Sequence, residues 1–444
     1  MNFNPQDVID QLRASPAADR YWVGYSGGLD STVLLHALAK RRADLPGRLM
    51  AIHVNHGLQP AATDWQRHCE SVCQALNVDL TVKRIDVDVT QGESLEAVAR
   101  QGRYGVFADC LQAGDCLLLA HHLDDQLETF LLQALRGAGV AGLAAMPPVN
   151  DFAEGKVVRP LLSVERQTLL TWAEQQNLTW IHDLSNQDIR FDRNYLRHEI
   201  VPRLKERWPA AAVTVARAAR HCAEALELLT AQARDDLTRY RIPGGQSLAL
   251  QALRDLPRPR AKQVLRYWLA EAGFKVPPAN KLEQIFADML AARPDRLPCV
   301  RWAGVELRRY RDRLYASAPL PAVPEPFSIR PGETHDLGYG LGHVKLAEAV
   351  GRLYPEQGLN VVFRAGGERC RPVGRPHSRP LKKWLQELNV LPWMRAYLPI
   401  LAADDGQPLA IAGLFVCADQ GAEPGLQLVW ENAPAIVAEE EKIR

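Results

Sequence analysis

The sequence has no surplus of charge of either sign, no long apolar run and no paired cysteines. Its 444 residues hold 53 Lys+Arg against 52 Asp+Glu, a formal net charge of +1, which taken whole argues against a polyanionic partner. No stretch approaches the roughly 18 consecutive apolar residues that a bilayer-spanning helix requires, so no membrane partner is expected. The eight cysteines (Cys69, Cys73, Cys110, Cys116, Cys222, Cys299, Cys370, Cys417) include no C-x-x-C pair and no Cys/His spacing suited to zinc. They are expected to be small buried apolar residues in a reducing compartment. The Walker pattern G-x-x-x-x-G-K-[ST] is also missing. The polar opening MNFNPQDVIDQL lacks the charged-then-apolar design of a secretory signal, and a cytoplasmic protein is expected.

What is present is the composition of an ordinary globular chain, 47% hydrophobic and 24% charged, with length for about three domains at roughly 150 residues each. The near-zero total charge conceals an uneven distribution. Residues 1–210 hold 21 Lys+Arg and 26 Asp+Glu, a net of −5, and the remainder holds 32 and 26, a net of +6. Between 360 and 400 the basic residues Arg364, Arg369, Arg371, Arg375, Arg379, Lys382, Lys383 and Arg395 face only Glu368 and Glu387. That pattern points to nucleic-acid contact at one end of the chain, with a solvated cationic face as the competing reading.

The first part alternates short apolar runs with helical patterns. Strands are expected at 22–25, 49–54, 80–87 and 116–120, with helices at 64–76 and 94–111 and an apolar helix through Val33, Leu34, Leu35 and Leu38. Strand alternating with helix predicts a doubly wound parallel sheet whose ligands gather at the carboxyl ends of its strands. The pattern loosens over 142–160, and Ser163 is the expected N-cap of a helix over 164–176. A long amphipathic helix is expected from Pro209 to about Tyr240. Two further helices (259–272, 278–292) and a β-like stretch (299–316) follow. The segment 318–326, with four prolines in nine residues, reads as a semi-rigid linker. The expected organisation is an α/β catalytic domain at 1–208, a mainly helical middle domain at 209–317 and a small α/β domain at 327–434.

The chemistry concentrates in a few clusters. Ser26-Gly27-Gly28-Leu29-Asp30-Ser31 lies between the first strand and the first sheet helix. Its glycines allow close approach of a ligand, and free N–H groups with the helix dipole attract phosphate. Asp30 would repel phosphate unless a divalent cation such as Mg²⁺ lies between them. The loop therefore suits ATP held by its β/γ-phosphates with the α-phosphate open to attack. His53 and His56 close the second strand, and His121, His122, Asp124, Asp125 and Glu128 close the fourth. Asp125 and Glu128, three apart on one helix face, suit a cationic substrate group or a metal, with acidic capping of the helix as the competing reading, above all for Asp124; either His121 or His122 could serve as acid or base or be a hydrogen-bonded structural histidine. Arg100 and Arg103 could neutralise phosphate charge or form surface ion pairs. The stretch from Asp183 through Arg193, Asn194 and Arg197, with Arg203/Lys205/Arg207 and Arg301/Arg308/Arg309/Arg311/Arg313, carries the donors expected of RNA binding.

The S-G-G-x-D-S block resembles the signature of the PP-loop ATP pyrophosphatases, which have a HUP-like fold. With HVNHGLQ at 53–59, the AR-QG-RY stretch at 99–104, HHLDDQLET at 121–129, RPLL at 159–162 and DLSN…RNYLR at 183–197, the chain is similar to the bacterial tRNA(Ile)-lysidine synthetases. That resemblance implies that the wobble cytidine of a minor isoleucine tRNA with a CAU anticodon is adenylated by ATP and then receives L-lysine. It further implies that Asp30 holds Mg²⁺, that Asp125 and Glu128 orient lysine, that Arg100 or Arg103 supports the adenylated intermediate, and that Arg379, Lys382 and Lys383 contact tRNA. A homodimer is among the assemblies it allows. Rival readings are a PP-loop tRNA thiolation enzyme, which would use cysteines this chain lacks, a PP-loop amidating synthetase, which would not need the basic C-terminal region, and a non-catalytic ATP-dependent RNA-binding protein.

Overall fold

Alternate residues of the first strand, Tyr21, Val23 and Tyr25 against Trp22, enter two different hydrophobic cores, which is why that strand reads as an unbroken apolar run. The computed structural model describes residues 3–57, 61–85, 95–241, 246–293, 296–349, 359–404, 406–417 and 425–438. Ser94, Leu58, Gln59, Asp86 and Val87, which belong to elements or motifs expected from the sequence, lie outside them. The chain divides into two compact units, 1–228 and 229–444.

In the first unit the elements run α1 (Pro5–Ala14), β1 (Arg20–Gly24), α2 (Leu29–Lys40), β2 (Arg48–Asn55), α3 (Ala62–Ala75), β3 (Asp79–Arg84), α4 (Leu95–Cys110), β4 (Asp115–Leu118), α5 (Leu123–Leu135), α6 (Val140–Leu143), β5 (Val149–Phe152), β6 (Gly155–Val158), α7 (Arg166–Gln175), α8 (Asp192–Tyr195), α9 (Val201–Arg207) and α10 (Ala211–Tyr240). The sheet order is β3-β2-β1-β4-β6-β5. All neighbours are parallel except β5, which pairs antiparallel with β6. Helices α1, α2, α3 and α7 contribute to the core on one face, and Phe107 and Leu111, on and just after α4, to the core on the other. Strand order reverses at β1, so the crevice between the carboxyl ends of β1 and β4 is the switch point where such sheets bind ligands.

Two local expectations change. The loosened stretch 142–160 contains the β5–β6 hairpin, turned at Ala153 in the left-handed region (φ 50°). Its strands are four residues each, too short for periodicity to separate from loop. Helix α7 begins at Arg166 after Glu165, not after Ser163. Asp124 replaces the local cap, its Oδ2 accepting from the Arg166 N–H at 2.8 Å. The seam between α8 and α9 is a π-helical turn, Leu196–Ile200. Pro202 cannot donate to the residue four back, and widening the turn accommodates it.

The second unit begins within α10 and continues with β7 (Leu248–Ala249), α11 (Gln251–Asp255), α12 (Arg258–Glu271), α13 (Ala279–Ala291), β8 (Cys299–Trp302), β9 (Val305–Tyr310) and β10 (Arg313–Ser317). The antiparallel sheet β7-β10-β9-β8 shares a core with α12 and α13 around Trp268 and Phe286. Of the basic residues at 301–313, expected as an RNA-contacting face, Arg309 is internal and Arg308 and Arg313 are half-buried, while Arg301 and Arg311 are exposed. Arg309 is buried and donates to the carbonyls of Met289 (2.6 Å), Ala292 (3.0 Å) and Arg311 (2.9 Å). Arg301 and Arg308 both pair with buried Glu306, and Arg313 donates to Ser247. Alternation along a β-strand turns half of such a run inward, which a count of basic residues does not reveal.

The proline-rich residues 318–326 form neither helix nor strand, and the Pro321 carbonyl accepts from the Tyr397 hydroxyl at 2.6 Å. Beyond them lie β11 (Phe327–Ile329), β12 (Thr334–Asp336), β13 (His343–Ala349), β14 (Leu359–Val362), β15 (Arg369–Cys370), β16 (Arg379–Pro380), α14 (Leu381–Glu387), β17 (Ile400–Ala402), β18 (Pro408–Ile411), β19 (Phe415–Val416) and β20 (Gly425–Glu431). They form sheets β11-β14-β17-β18-β19 and β12-β13-β20 and the hairpin β15–β16. Among the described residues no helix is long and apolar enough to cross a membrane.

Arg309→Ala would strand three carbonyls and open a cavity, with an expected loss of about 2–5 kcal/mol. Exposed Arg311→Ala should stay within about 0.5 kcal/mol of the parent chain. Urea unfolding of the two variants checks this, and equal losses would refute the internal role of Arg309.

Candidate active site

The loop at the end of β1 takes its shape from Gly27, whose φ of 81° lies in the left-handed region. A Cβ there would collide with Ile181 Cδ1 and stand 3.0 Å from Cys69 Sγ. The Gly27 carbonyl accepts from the Ile181 N–H at 2.8 Å, so the backbone is clamped as well as free of a side chain. Ser26 and Ser31 face each other across the loop with hydroxyls 3.1 Å apart, and Ser31 donates to the Gly28 carbonyl. Gly28 then stands at the N-cap position of α2, with no side-chain cap, and Leu29, Asp30 and Ser31 form the first turn. Unfilled N–H groups at a helix N-terminus favour an anion.

Asp30 carries the negative charge nearest that loop. Its Oδ1 is buried without a hydrogen-bond partner among the described residues, and its Oδ2 lies 3.7 Å from His122 Nε2. Burial pushes the Asp30 carboxyl up; His122 counteracts it, Asp125 adds to it, and Arg166 and Arg197 lower it.

Helix α5 starts on His122, which is 1% exposed. The ring accepts the Asp125 N–H at Nδ1 (3.3 Å), and the His122 N–H donates to Asp125 Oδ2 (3.0 Å), a capping box. Acidic capping of this helix therefore falls to Asp125, while Asp124 binds Arg166 N–H and pairs with Lys205 of α9. Glu128, 1% exposed, receives Arg193 Nε at Oε2 (3.0 Å) and Arg197 Nε at Oε1 (2.7 Å). Both guanidiniums also donate to Asp125 Oδ1, at 3.0 and 2.9 Å. Burial alone would raise the Asp125 carboxyl, but His122, Arg193, His121 and Arg197 hold it down at about 2. Two buried carboxylates are thus matched by two cations, and removing one member of such a set costs about 3–5 kcal/mol.

The histidines divide by role. His53 is buried and its Nδ1 lies 2.9 Å from the Tyr25 carbonyl, tying β2 to the end of β1. His56 and His121 each hold a buried Nδ1 without a hydrogen-bond partner among the described residues. Burial pushes the His53 and His56 imidazoles down, and His121 down to about 3. Burial therefore favours the neutral imidazole of His121.

Arg100 stacks over the Tyr104 ring at 4.9 Å and donates to its hydroxyl; its charge also reaches His121. Arg103 lies on the same helix, within electrostatic range of His56. Asn194 is a staple, donating to the Ser185 and Asp188 carbonyls at 3.0 Å each. The structure thus joins Asp30, Asp125, Glu128, Arg193 and Arg197, with His121 within electrostatic range of Asp125 and Arg193. Sequence reading treated the carboxylates and the arginines as separate groups. It also assigned no role to Arg159, a buried residue after β6 that donates to the Pro147 carbonyl and to Asn150, both at 2.7 Å. An arginine placed directly after the apolar Val157-Val158 pair is the signal that could have found it.

In the second unit, Arg379 lies 5.1 Å over the Trp384 ring and 3.9 Å from Glu387, and Arg375 shares both partners. Lys382 and Lys383 are exposed on α14.

The histidine shift sets an acid-side prediction. A group whose folded pKa is depressed gives stability that is full above its unfolded value and is lost as pH falls toward the folded value. For His121 the window runs from 6.5 down to about 3, a loss on the order of 3 kcal/mol between pH 7 and pH 4. Urea midpoints measured across that range should fall with acid, and His121→Gln should flatten the fall; an unchanged slope would remove His121 from the account.

Residues 1–204 match the PP-loop domain family, 248–315 the TilS substrate binding domain and 359–430 the TilS substrate C-terminal domain. The tRNA(Ile)-lysidine synthase of Alkalilimnicola ehrlichii is 42% identical over 438 residues, covering 97% of both chains. That of Coxiella burnetii is 38% identical over 421 residues, 94% of this chain and 93% of its own. That of Escherichia coli O157:H7 is 42% identical over 422 residues, 92% and 96%. With identity of this level over nearly the whole of each chain, the protein belongs to the tRNA(Ile)-lysidine synthase family.

Proposed function

We propose that the chain ligates L-lysine to carbon 2 of the wobble cytidine of the minor, CAU-anticodon isoleucine tRNA at the expense of ATP. The observation that carries this reading is the phosphate-shaped loop 26–31 at the sheet's switch point, beside a buried set of carboxylates and guanidiniums. ATP binds with its phosphates against the N–H groups of the loop and the hydroxyls of Ser26 and Ser31. The oxygen on carbon 2 of cytidine attacks the α-phosphorus, and pyrophosphate leaves. The lysine amine then attacks carbon 2, and AMP departs with the bridging oxygen. Lysidine pairs with A in place of G.

Asp30 fits Mg²⁺: a hard carboxylate oxygen, buried and lacking a partner among the described residues, would supply one of the one or two carboxylate ligands that a phosphate-bound Mg²⁺ takes. When bound, the ion offsets phosphate charge. The chain's own residues do the remaining work. Asp125 and Glu128 exchange part of their arginine pairing for the lysine ammonium, and the released guanidinium of Arg193 or Arg197 is free for a carboxylate or phosphate. Arg100 or Arg103 supports the adenylated base, and Arg379, Lys382 and Lys383 track tRNA phosphates.

Three of the eight thiols are poorly suited to sulfur transfer. Cys69, Cys73 and Cys116 are buried, and burial pushes each up to about 12, far from the thiolate that such chemistry requires.

Pyrophosphate release and incorporation of labelled lysine into the unmodified tRNA test the reading. Asp30→Ala should lower pyrophosphate release by roughly 100-fold or more. Changing Arg379, Lys382 and Lys383 together should weaken tRNA binding and reduce its salt slope by about 2. Incorporation of another amine or of sulfur, with no lysine, would defeat the proposal; unaltered tRNA affinity in the triple variant would remove α14 from the RNA surface.

A further inference from the structure

We propose that His122 is a positioning residue that uses its two ring nitrogens for two tasks: Nδ1 caps helix α5, and the Nε2–H orients the Asp30 carboxylate for Mg²⁺-ATP. The inference rests on the reading of Asp30 as the Mg²⁺ ligand. Because the Asp125 N–H donates to Nδ1 at 3.3 Å, that nitrogen carries a lone pair, which places the ring N–H at Nε2. Nε2 faces carboxylates on two elements, Asp125 Oδ2 at 3.4 Å and Asp30 Oδ2 at 3.7 Å, so that it acts on Asp30 electrostatically, beyond direct hydrogen-bond distance. The third acidic neighbour, Asp124 Oδ2, lies 3.9 Å from Nδ1.

The ring has little freedom to move. It is 1% exposed and fixed by a reciprocal capping box at a helix start, so the direction of its N–H is set by the backbone. Asp30, in contrast, is held by no hydrogen bond of its own among the described residues at Oδ1, and the like charge of Asp125 pushes against it. Turning one Asp30 oxygen toward Nε2 leaves the other for a cation. The contact also bridges the switch point, since Asp30 follows β1 and His122 follows β4.

The two tasks can be separated, because an asparagine oxygen replaces the acceptor at Nδ1 but cannot reach Asp30, whereas a glutamine amide replaces the donor at Nε2 but not the cap. His122→Asn should hold its thermal midpoint within about 4 °C of the parent, yet bind Mg²⁺-ATP about 10-fold more weakly. Its affinity for ATP in EDTA should be unchanged. His122→Gln should show the converse, a lower midpoint with Mg²⁺-ATP affinity kept within about 3-fold. In an Asp30→Asn background, His122→Asn should cause no further loss. Parental Mg²⁺-ATP affinity in His122→Asn, parallel loss in both variants, or an equal further loss in the Asp30→Asn background would each overturn the positioning role while leaving Asp30 as ligand. If Asp30→Asn by itself binds Mg²⁺-ATP as the parent does, the Asp30 reading fails and this one with it.

Discussion

Two carboxylates buried at the start of one helix constrain the rest of the first unit. Asp125 and Glu128 cannot remain ionised in a packed interior without cations, and α5 has none to offer. The cations arrive from 65 to 72 residues downstream, as Arg193 and Arg197. Meeting that demand draws α8, the π-helical turn and α9 onto α5, and Lys205 on Asp124 secures the same seam at a second point. Of the cations in 192–207, which by composition resembles an open cationic surface, Arg193, Arg197 and Lys205 are thereby turned toward α5, while Arg203 and Arg207 stay exposed.

The same arrangement leaves Asp30 electrically distinct. Asp125 and Glu128 are balanced by two guanidiniums, so the local charge that remains uncompensated lies at the phosphate loop. A buried carboxylate oxygen with no hydrogen-bond partner among the described residues, beside a helix N-terminus, suits an anionic ligand that brings positive charge with it. This is the physical link between the acidic front half and a polyphosphate substrate.

In the second unit, charge counted along the chain overstates the basic surface. Arg309 supports carbonyls, Arg301 and Arg308 neutralise a buried glutamate, and Arg375 and Arg379 are partly engaged with Trp384 and Glu387. Lys382 and Lys383 stay exposed on α14, as do Arg301 on β8 and Arg311 after β9.

The sequence by itself determined the class of the fold and the location of the chemistry. Apolar runs alternating with helical periods specify a parallel sheet, and the glycine, histidine and acidic clusters coincide with its strand ends, because both signals are local and depend on spacing alone. The small hairpin at 149–158 and the true start of α7 were not legible. The first consists of strands too short to show a period, and the second is capped by Asp124, a residue 42 positions away. Which charges meet was decided only by tertiary structure: Asp125 and Glu128 with Arg193 and Arg197, His122 with Asp30, Arg309 with three carbonyls. Charge pairing in a fold depends on distance through space and on burial, and neither quantity is encoded in the order of residues along the chain.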